Sequence, residues 1–125
     1  MEKKRVMLVD DEKDFVKIMK LNLEMTGSYE VMALSTAEGI MAEVQEFKPD
    51  IILLDILMPK VDGTEVCRML SEDPAAKSIP VIIISALDTD QDRAMVYKLG
   101  AVEFVAKPIE KKDLIEKIEK VLKHK

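Results

Sequence analysis

The sequence predicts an α/β domain: a doubly wound, five-stranded parallel sheet with five flanking helices. Three observations predict it. Short apolar runs recur along the chain, at Val6-Met7-Leu8-Val9, Ile51-Ile52-Leu53-Leu54, Val81-Ile82-Ile83-Ile84 and Phe104-Val105-Ala106, each bounded by turn residues. Runs of this length read as strands buried on both faces of a parallel sheet. The segments between them carry apolar residues at helical spacing, so strand and helix alternate throughout.

The first strand is expected over residues 5–9. The first helix follows over 12–26, with Phe15, Ile18, Met19 and Leu23 as its apolar stripe and Gly27 as its stop. The second strand, Tyr29–Leu34, is less uniformly apolar, which suits a sheet edge. The second helix covers 37–47, with Ala37, Ile40, Met41 and Val44 on one face and Pro49 beyond its end. The third strand is 51–54 and the third helix 63–72, closed by Asp73-Pro74. The fourth strand is 81–84 and the fourth helix 90–99, ended by Gly100. The fifth strand is 102–106 and the fifth helix 112–123, with Leu114, Ile115, Ile118, Val121 and Leu122 as its buried stripe. No repeat, low-complexity segment or linker interrupts residues 1–125, so one domain is expected.

A composition of 48% hydrophobic and 34% charged residues is that of a soluble globular domain. The net charge of −5 speaks against a general nucleic-acid or membrane-surface binder. Cys67 is the only cysteine, which excludes an internal disulfide and fits a reducing compartment such as the cytoplasm. The apolar stretch after the basic start is too short for a signal peptide or a membrane span.

The apolar runs end in polar residues. Asp10 and Asp11 follow the first strand, Asp55 the third, Ser85 the fourth and Lys107 the fifth. Open parallel sheets bind ligands beyond the carboxyl ends of their strands, so these groups should converge. If the first and third strands are neighbours, about 4.8 Å apart, then Asp10, Asp11 and Asp55 crowd together. Their repulsion raises their pKa values, and a hard cation such as Mg²⁺ relieves it. An aspartate beside such a cation can act as a nucleophile and form an aspartyl-phosphate. Lys107 would pair with the phosphoryl oxygens and the Ser85 hydroxyl would donate to them. Phosphoryl transfer needs little more than this positioning and charge neutralisation.

Each feature has a plainer reading. An Asp-Asp pair before a helix serves as an N-cap and a favourable dipole charge. Asp55 could be a loop acid, and Lys107-Pro108 a strand exit. Met58-Pro59 and Asp62-Gly63 are turn chemistry in either case. The nine Met residues read as core filler, Cys67 as a packed thiol, His124 as a tail residue and the Lys/Glu run of the fifth helix as a solvated face. What favours a site is that the Asp10-Asp11 pair, Asp55, Ser85 and Lys107 end four different apolar runs.

Val9-Asp10-Asp11, Leu54-Asp55 with Met58-Pro59 and Asp62-Gly63, Ile84-Ser85-Ala86, Gly100-Ala101 and Lys107-Pro108 together span almost the whole chain. In this combination the sequence resembles the receiver domain of bacterial two-component response regulators. The resemblance implies a flavodoxin-like fold with strand order 2-1-3-4-5, in which the first and third strands are neighbours. It implies that Asp55 is the phosphoacceptor. It further implies that Asp11, Asp55 and the backbone carbonyl of Leu57 contact Mg²⁺ with Asp10 close by, and that Lys107 and Ser85 hold the phosphoryl group. Phe104 matches the aromatic that turns inward when the Ser85 hydroxyl moves. The chain has no Gly-rich nucleotide loop, so the phosphoryl group must come from outside. The implied donor is a sensor histidine kinase or a histidine phosphotransfer protein. An output protein or effector domain would read the surface of the fourth helix, fifth strand and fifth helix, including Tyr97 and Lys98. The implied chemistry is confined to the domain's own aspartyl phosphorylation and dephosphorylation, without enzymatic turnover.

Val102-Glu103-Phe104 and Ile109 depart from many DNA-binding members, which carry acidic residues with Tyr, and Phe, at those places. Pairing of two copies on phosphorylation is therefore left open. No effector domain follows the fifth helix, as in a stand-alone receiver or one part of a longer protein.

Other classes fit less well. A phosphatase of the haloacid-dehalogenase type needs a second Asp two residues after Asp55, where Leu57 stands. A flavodoxin-like electron carrier needs a Ser/Thr/Gly-rich loop after the first strand, where Asp10-Asp11-Glu12-Lys13-Asp14 stands. A receiver-like interaction module that is never phosphorylated is the remaining alternative, and the complete set of acids, hydroxyl and lysine argues against it. In the family, the residues two beyond Asp55 and two beyond Ser85 flank the hydrolytic water. Leu57 and Leu87 there are apolar, which predicts a long-lived aspartyl-phosphate.

Overall fold

The structure, a computed structural model, describes residues 2–58, 61–86 and 89–123, and twelve elements follow one another among these described residues. They are β1 (Lys4–Val9), α1 (Lys13–Met25), β2 (Tyr29–Leu34), α2 (Ile40–Phe47), β3 (Ile51–Asp55), β4 (Leu57–Met58), β5 (Val61–Asp62), α3 (Gly63–Glu72), β6 (Val81–Ser85), α4 (Asp90–Lys98), β7 (Glu103–Ala106) and α5 (Lys111–Lys123). Pro59, Leu87 and His124, each given a role above, lie outside the described residues. Five strands form one parallel sheet in the order β2-β1-β3-β6-β7. With β6 and β7 as its fourth and fifth strands, this is the implied order 2-1-3-4-5. The two-residue β4 and β5 pair antiparallel outside the sheet, in the stretch expected to be turns.

The two-residue period of the strands divides the core into two layers. Met7, Val9, Ile52, Leu54, Ile83 and Phe104 pack with Ile40, Val44, Val66, Leu70 and Val96 of α2, α3 and α4. Val6, Leu8, Ile51, Leu53, Ile82, Ile84 and Val105 pack with Val16, Met19, Leu23, Leu114 and Ile118 of α1 and α5. By the same alternation, Asp55 continues the row of Ile51 and Leu53 toward α1. Ser85 continues the row of Val81 and Ile83 toward α4.

Three expectations need correction. α1 buries Val16, Met19 and Leu23, whereas Ile18 is 58% exposed. At 100° per residue, Ile18 falls opposite that stripe, beside Leu21 and Met25, which are 59% and 74% exposed. α2 begins at Ile40 rather than residue 37, because Gly39 at its N-cap is left-handed, with φ of 75°. Residue 102 lies outside β7, and its Val side chain is exposed. The remaining element ends agree to within about two residues.

Local chemistry explains the helix starts. The Asp62 carboxylate accepts from the backbone N–H groups of Thr64 and Glu65 at 3.0 and 3.4 Å and opens α3. Thr89 and Asp92 form a reciprocal capping box at the start of α4. Gly63 is required for another reason. A Cβ there would lie 2.3 Å from Ile56 Cα, so only glycine lets α3 start against the chain leaving β3.

Candidate functional site

The carboxyl ends of β1, β3 and β7 bring three carboxylates and one ammonium together. Oxygen atoms of Asp10, Asp11 and Asp55 lie within 4.8 Å of one another. Asp10 is buried just past β1, and its Oδ1 accepts from the Glu12 N–H at 2.9 Å. Its Oδ2 has no hydrogen-bond partner among the described residues. Lys107 Nζ lies 2.7 Å from that oxygen, an ion-pair contact without hydrogen-bond alignment. Asp11 is half-buried. Asp55 is buried at the end of β3, where Oδ1 accepts from the Leu57 N–H at 2.9 Å and Oδ2 from Lys107 Nζ at 3.4 Å.

This arrangement sets the charge states. Burial, and then the negative charge of Asp10, push the Asp55 carboxyl up to about 6, against the Leu57 N–H and Lys107, which lower it. Burial would depress the Lys107 ammonium, but its pairing with Asp10 and Glu12 and the charge of Asp55 carry it above its ordinary value. Lys107 is therefore a fixed positive charge at neutral pH. One ammonium among Asp10, Asp11, Asp55 and Glu12 leaves an excess of negative charge. An all-oxygen cluster of three carboxylates, facing a single ammonium and carrying excess negative charge, fits a hard divalent cation of the Mg²⁺ type.

Ser85 is fully buried at the end of β6, and its backbone carbonyl accepts from the Lys107 N–H at 2.9 Å. Lys107 is thus anchored to the Ser85 strand by its backbone and to the carboxylates by its side chain. Phe104 is already buried, with the Arg93 guanidinium 4.7 Å above its ring. The Leu57 backbone N–H contacts Asp55, and its side chain is 47% exposed. Cys67 is packed as expected, and burial pushes its thiol up.

Two residues at the start of α1, its N-cap and one in its first turn, join the site without having been expected there. Glu12 Oε1 lies 2.6 Å from Lys107 Nζ, and the Phe15 ring centroid lies 4.8 Å from the same nitrogen. The sequence places Glu12 in an acidic loop and Phe15 on a core face. Their shared contact depends on β7 ending beside α1, which spacing alone does not reveal.

Comparison with known proteins agrees with this geometry. A family model described as the response regulator receiver domain matches residues 6–119. The alkaline phosphatase synthesis transcriptional regulatory protein PhoP of Bacillus subtilis is 32% identical over 96% of this chain and 49% of its own length. Response regulator PleD of Caulobacter vibrioides is 36% identical over 97% of this chain and 26% of its own length. The chain therefore spans about half or less of these curated relatives. The crystal structure of a CheY-like response regulator receiver domain protein from Methanospirillum hungatei superposes with a TM-score of 0.90 at 27% identity, covering 98% of this chain and 96% of the other. With the family match extending over nearly all of the sheet and helices, the chain belongs to the response regulator receiver domain family.

Proposed function

We propose that the domain is a phosphorylation-dependent signalling switch that takes a phosphoryl group onto Asp55 from a phosphohistidine on a partner kinase or phosphotransfer protein. The observation that carries this reading is the pairing of a buried Asp55 with a fixed Lys107 ammonium 3.4 Å away, beside an acidic cluster. An Asp55 carboxylate oxygen attacks phosphorus, the P–N bond to the imidazole breaks, and its electron pair returns to the imidazole nitrogen. Lys107 then balances the charge on the phosphoryl oxygens, and the Ser85 hydroxyl donates to one of them. Asp10, Asp11, Asp55 and the Leu57 carbonyl would hold Mg²⁺, which neutralises phosphoryl charge when bound.

The chemistry is stoichiometric and acts on the domain's own aspartate. Its output is a shift between two populations of one fold, read on the surface of α4, β7 and α5. That surface is internally linked. The Phe104 N–H donates to the Tyr97 hydroxyl at 3.1 Å, and Glu103 lies 3.5 and 3.7 Å from Lys117 and Lys120. No described helix is long and apolar enough to cross a membrane, and we place the exchange with the kinase in the cytoplasm. The test is transfer from phosphoramidate, a small donor with the P–N bond of phosphohistidine. Wild type should take one phosphoryl group in the presence of Mg²⁺, and Asp55→Asn none. Equal labelling of the two would end this reading.

A further inference from the structure

Lys107 is the one cation among the described residues at the site, and Asp55 is the most distant of its three carboxylate partners. Glu12 and Asp10 lie at 2.6 and 2.7 Å, against 3.4 Å for Asp55. Glu12 stands at the N-cap of α1, where a side chain ordinarily accepts from the helix N–H groups, yet its carboxylate makes no such bond. It turns instead to Lys107. Phe15, three residues on and hence on the same helix face, closes over the same nitrogen at 4.8 Å.

From this we infer that Glu12 is a positioning residue that competes with the phosphoryl group for Lys107, so that the start of α1 sets how readily the site charges. The inference rests on the phosphorylation of Asp55 proposed above. In the resting state Glu12 and Phe15 hold the ammonium on the α1 side. A phosphoryl group on Asp55 offers oxygens carrying nearly two negative charges, and Lys107 leaves Glu12 to meet them. The Glu12 side chain is 60% exposed, so its contact is weak enough to exchange and is replaced by water when released. Each charging event must break this contact, and each discharge restores it.

The test compares Glu12→Gln and Glu12→Asp with wild type. The two readouts are the rate of labelling by acetyl phosphate and the affinity for beryllofluoride, both at fixed Mg²⁺. Glu12→Gln removes the charge, whereas Glu12→Asp keeps it and withdraws it by one methylene. Contact competition predicts that both variants charge faster and bind beryllofluoride more tightly than wild type, by about twofold to fivefold. A gain in Glu12→Gln with none in Glu12→Asp would overturn the inference in favour of general repulsion of the anion. Slower charging in either variant would overturn it by making Glu12 a productive support for Lys107. Phe15→Leu, which keeps Glu12 and removes the ring face, should shift beryllofluoride affinity in the same direction, and no shift would count against the enclosure. A wild type that takes no label would instead remove the phosphorylation reading itself, before Glu12 is at issue.

Discussion

Asp55 carries the site's resting electrostatics. An aspartate in the unfolded chain ionises near pH 4, whereas Asp55 holds its proton to about 6 in the folded domain. Between those values the folded form binds more protons than the unfolded form, so metal-free stability must fall as pH rises through that window. Asp55→Asn removes the titration and should flatten this part of the pH profile, and Mg²⁺ should offset the fall by stabilising the ionised form. Thermal midpoints between about pH 4 and pH 6.5, with and without Mg²⁺, check it. An identical slope in Asp55→Asn would assign the effect to other groups. Much of this scale was legible in the sequence. Asp10, Asp11, Asp55 and Lys107 each end an apolar run, and a sheet gathers its strand ends. Glu12 and Phe15 were not legible, because their partner is 95 residues away from Glu12 and nothing local distinguishes a loop acid from a lysine's counter-ion.

At the scale of elements, α1 has two faces with two uses. Val16, Met19 and Leu23 fasten it to the sheet, and Ile18, Leu21 and Met25 leave an apolar stripe in solvent on the helix that walls the site. Exposed apolar groups on a helix whose N-terminal end reaches the site suit a partner's docking face. Leu21→Asp should therefore slow transfer from a phosphorylated kinase by about tenfold or more and leave labelling by acetyl phosphate unchanged. Equal slowing of both would make the stripe a structural feature of the domain. The expected stripe included Ile18 because its spacing from Phe15 is helical. Period alone gives the existence of an apolar face, and the choice between two such faces is made by the sheet beneath.

Gly63 joins two other elements. With Ile56 Cα 2.3 Å from where a Cβ would sit, Gly63→Ala must push α3 away from the loop that carries Leu57. A loss of about 1–3 kcal/mol in stability is expected from overpacking, together with weaker Mg²⁺ binding as the Leu57 carbonyl shifts. Chemical denaturation and a Mg²⁺ titration read the two effects. Unchanged Mg²⁺ affinity in a destabilised Gly63→Ala would confine the glycine to folding.

For the whole molecule, topology makes the site. The order β2-β1-β3-β6-β7 seats β1 beside β3, so that Asp10 and Asp55 are neighbours, and seats β6 between Asp55 and the Lys107 strand. Strand alternation then turns Asp55 toward α1 and Ser85 toward the layer of Phe104 and α4. One phosphoryl group can thus touch both layers of the core. The apolar runs made the parallel sheet legible from the sequence. The neighbour order came from the whole-chain resemblance, since apolar runs do not record which strand lies beside which. The position of the Phe104 ring was not legible either, because one residue type fits both an inward and an outward rotamer. The most direct measurement of the central claim is chemical mapping of the acyl-phosphate. The domain is incubated with acetyl phosphate and Mg²⁺, reduced with borohydride, which converts a phosphorylated aspartate to homoserine, and sequenced by peptide mass spectrometry. The account predicts homoserine at position 55, absent when EDTA replaces Mg²⁺ and absent in Asp55→Asn. Homoserine at position 10 or 11 with Asp55 intact, or no reduction product at all in fully folded protein, would contradict it.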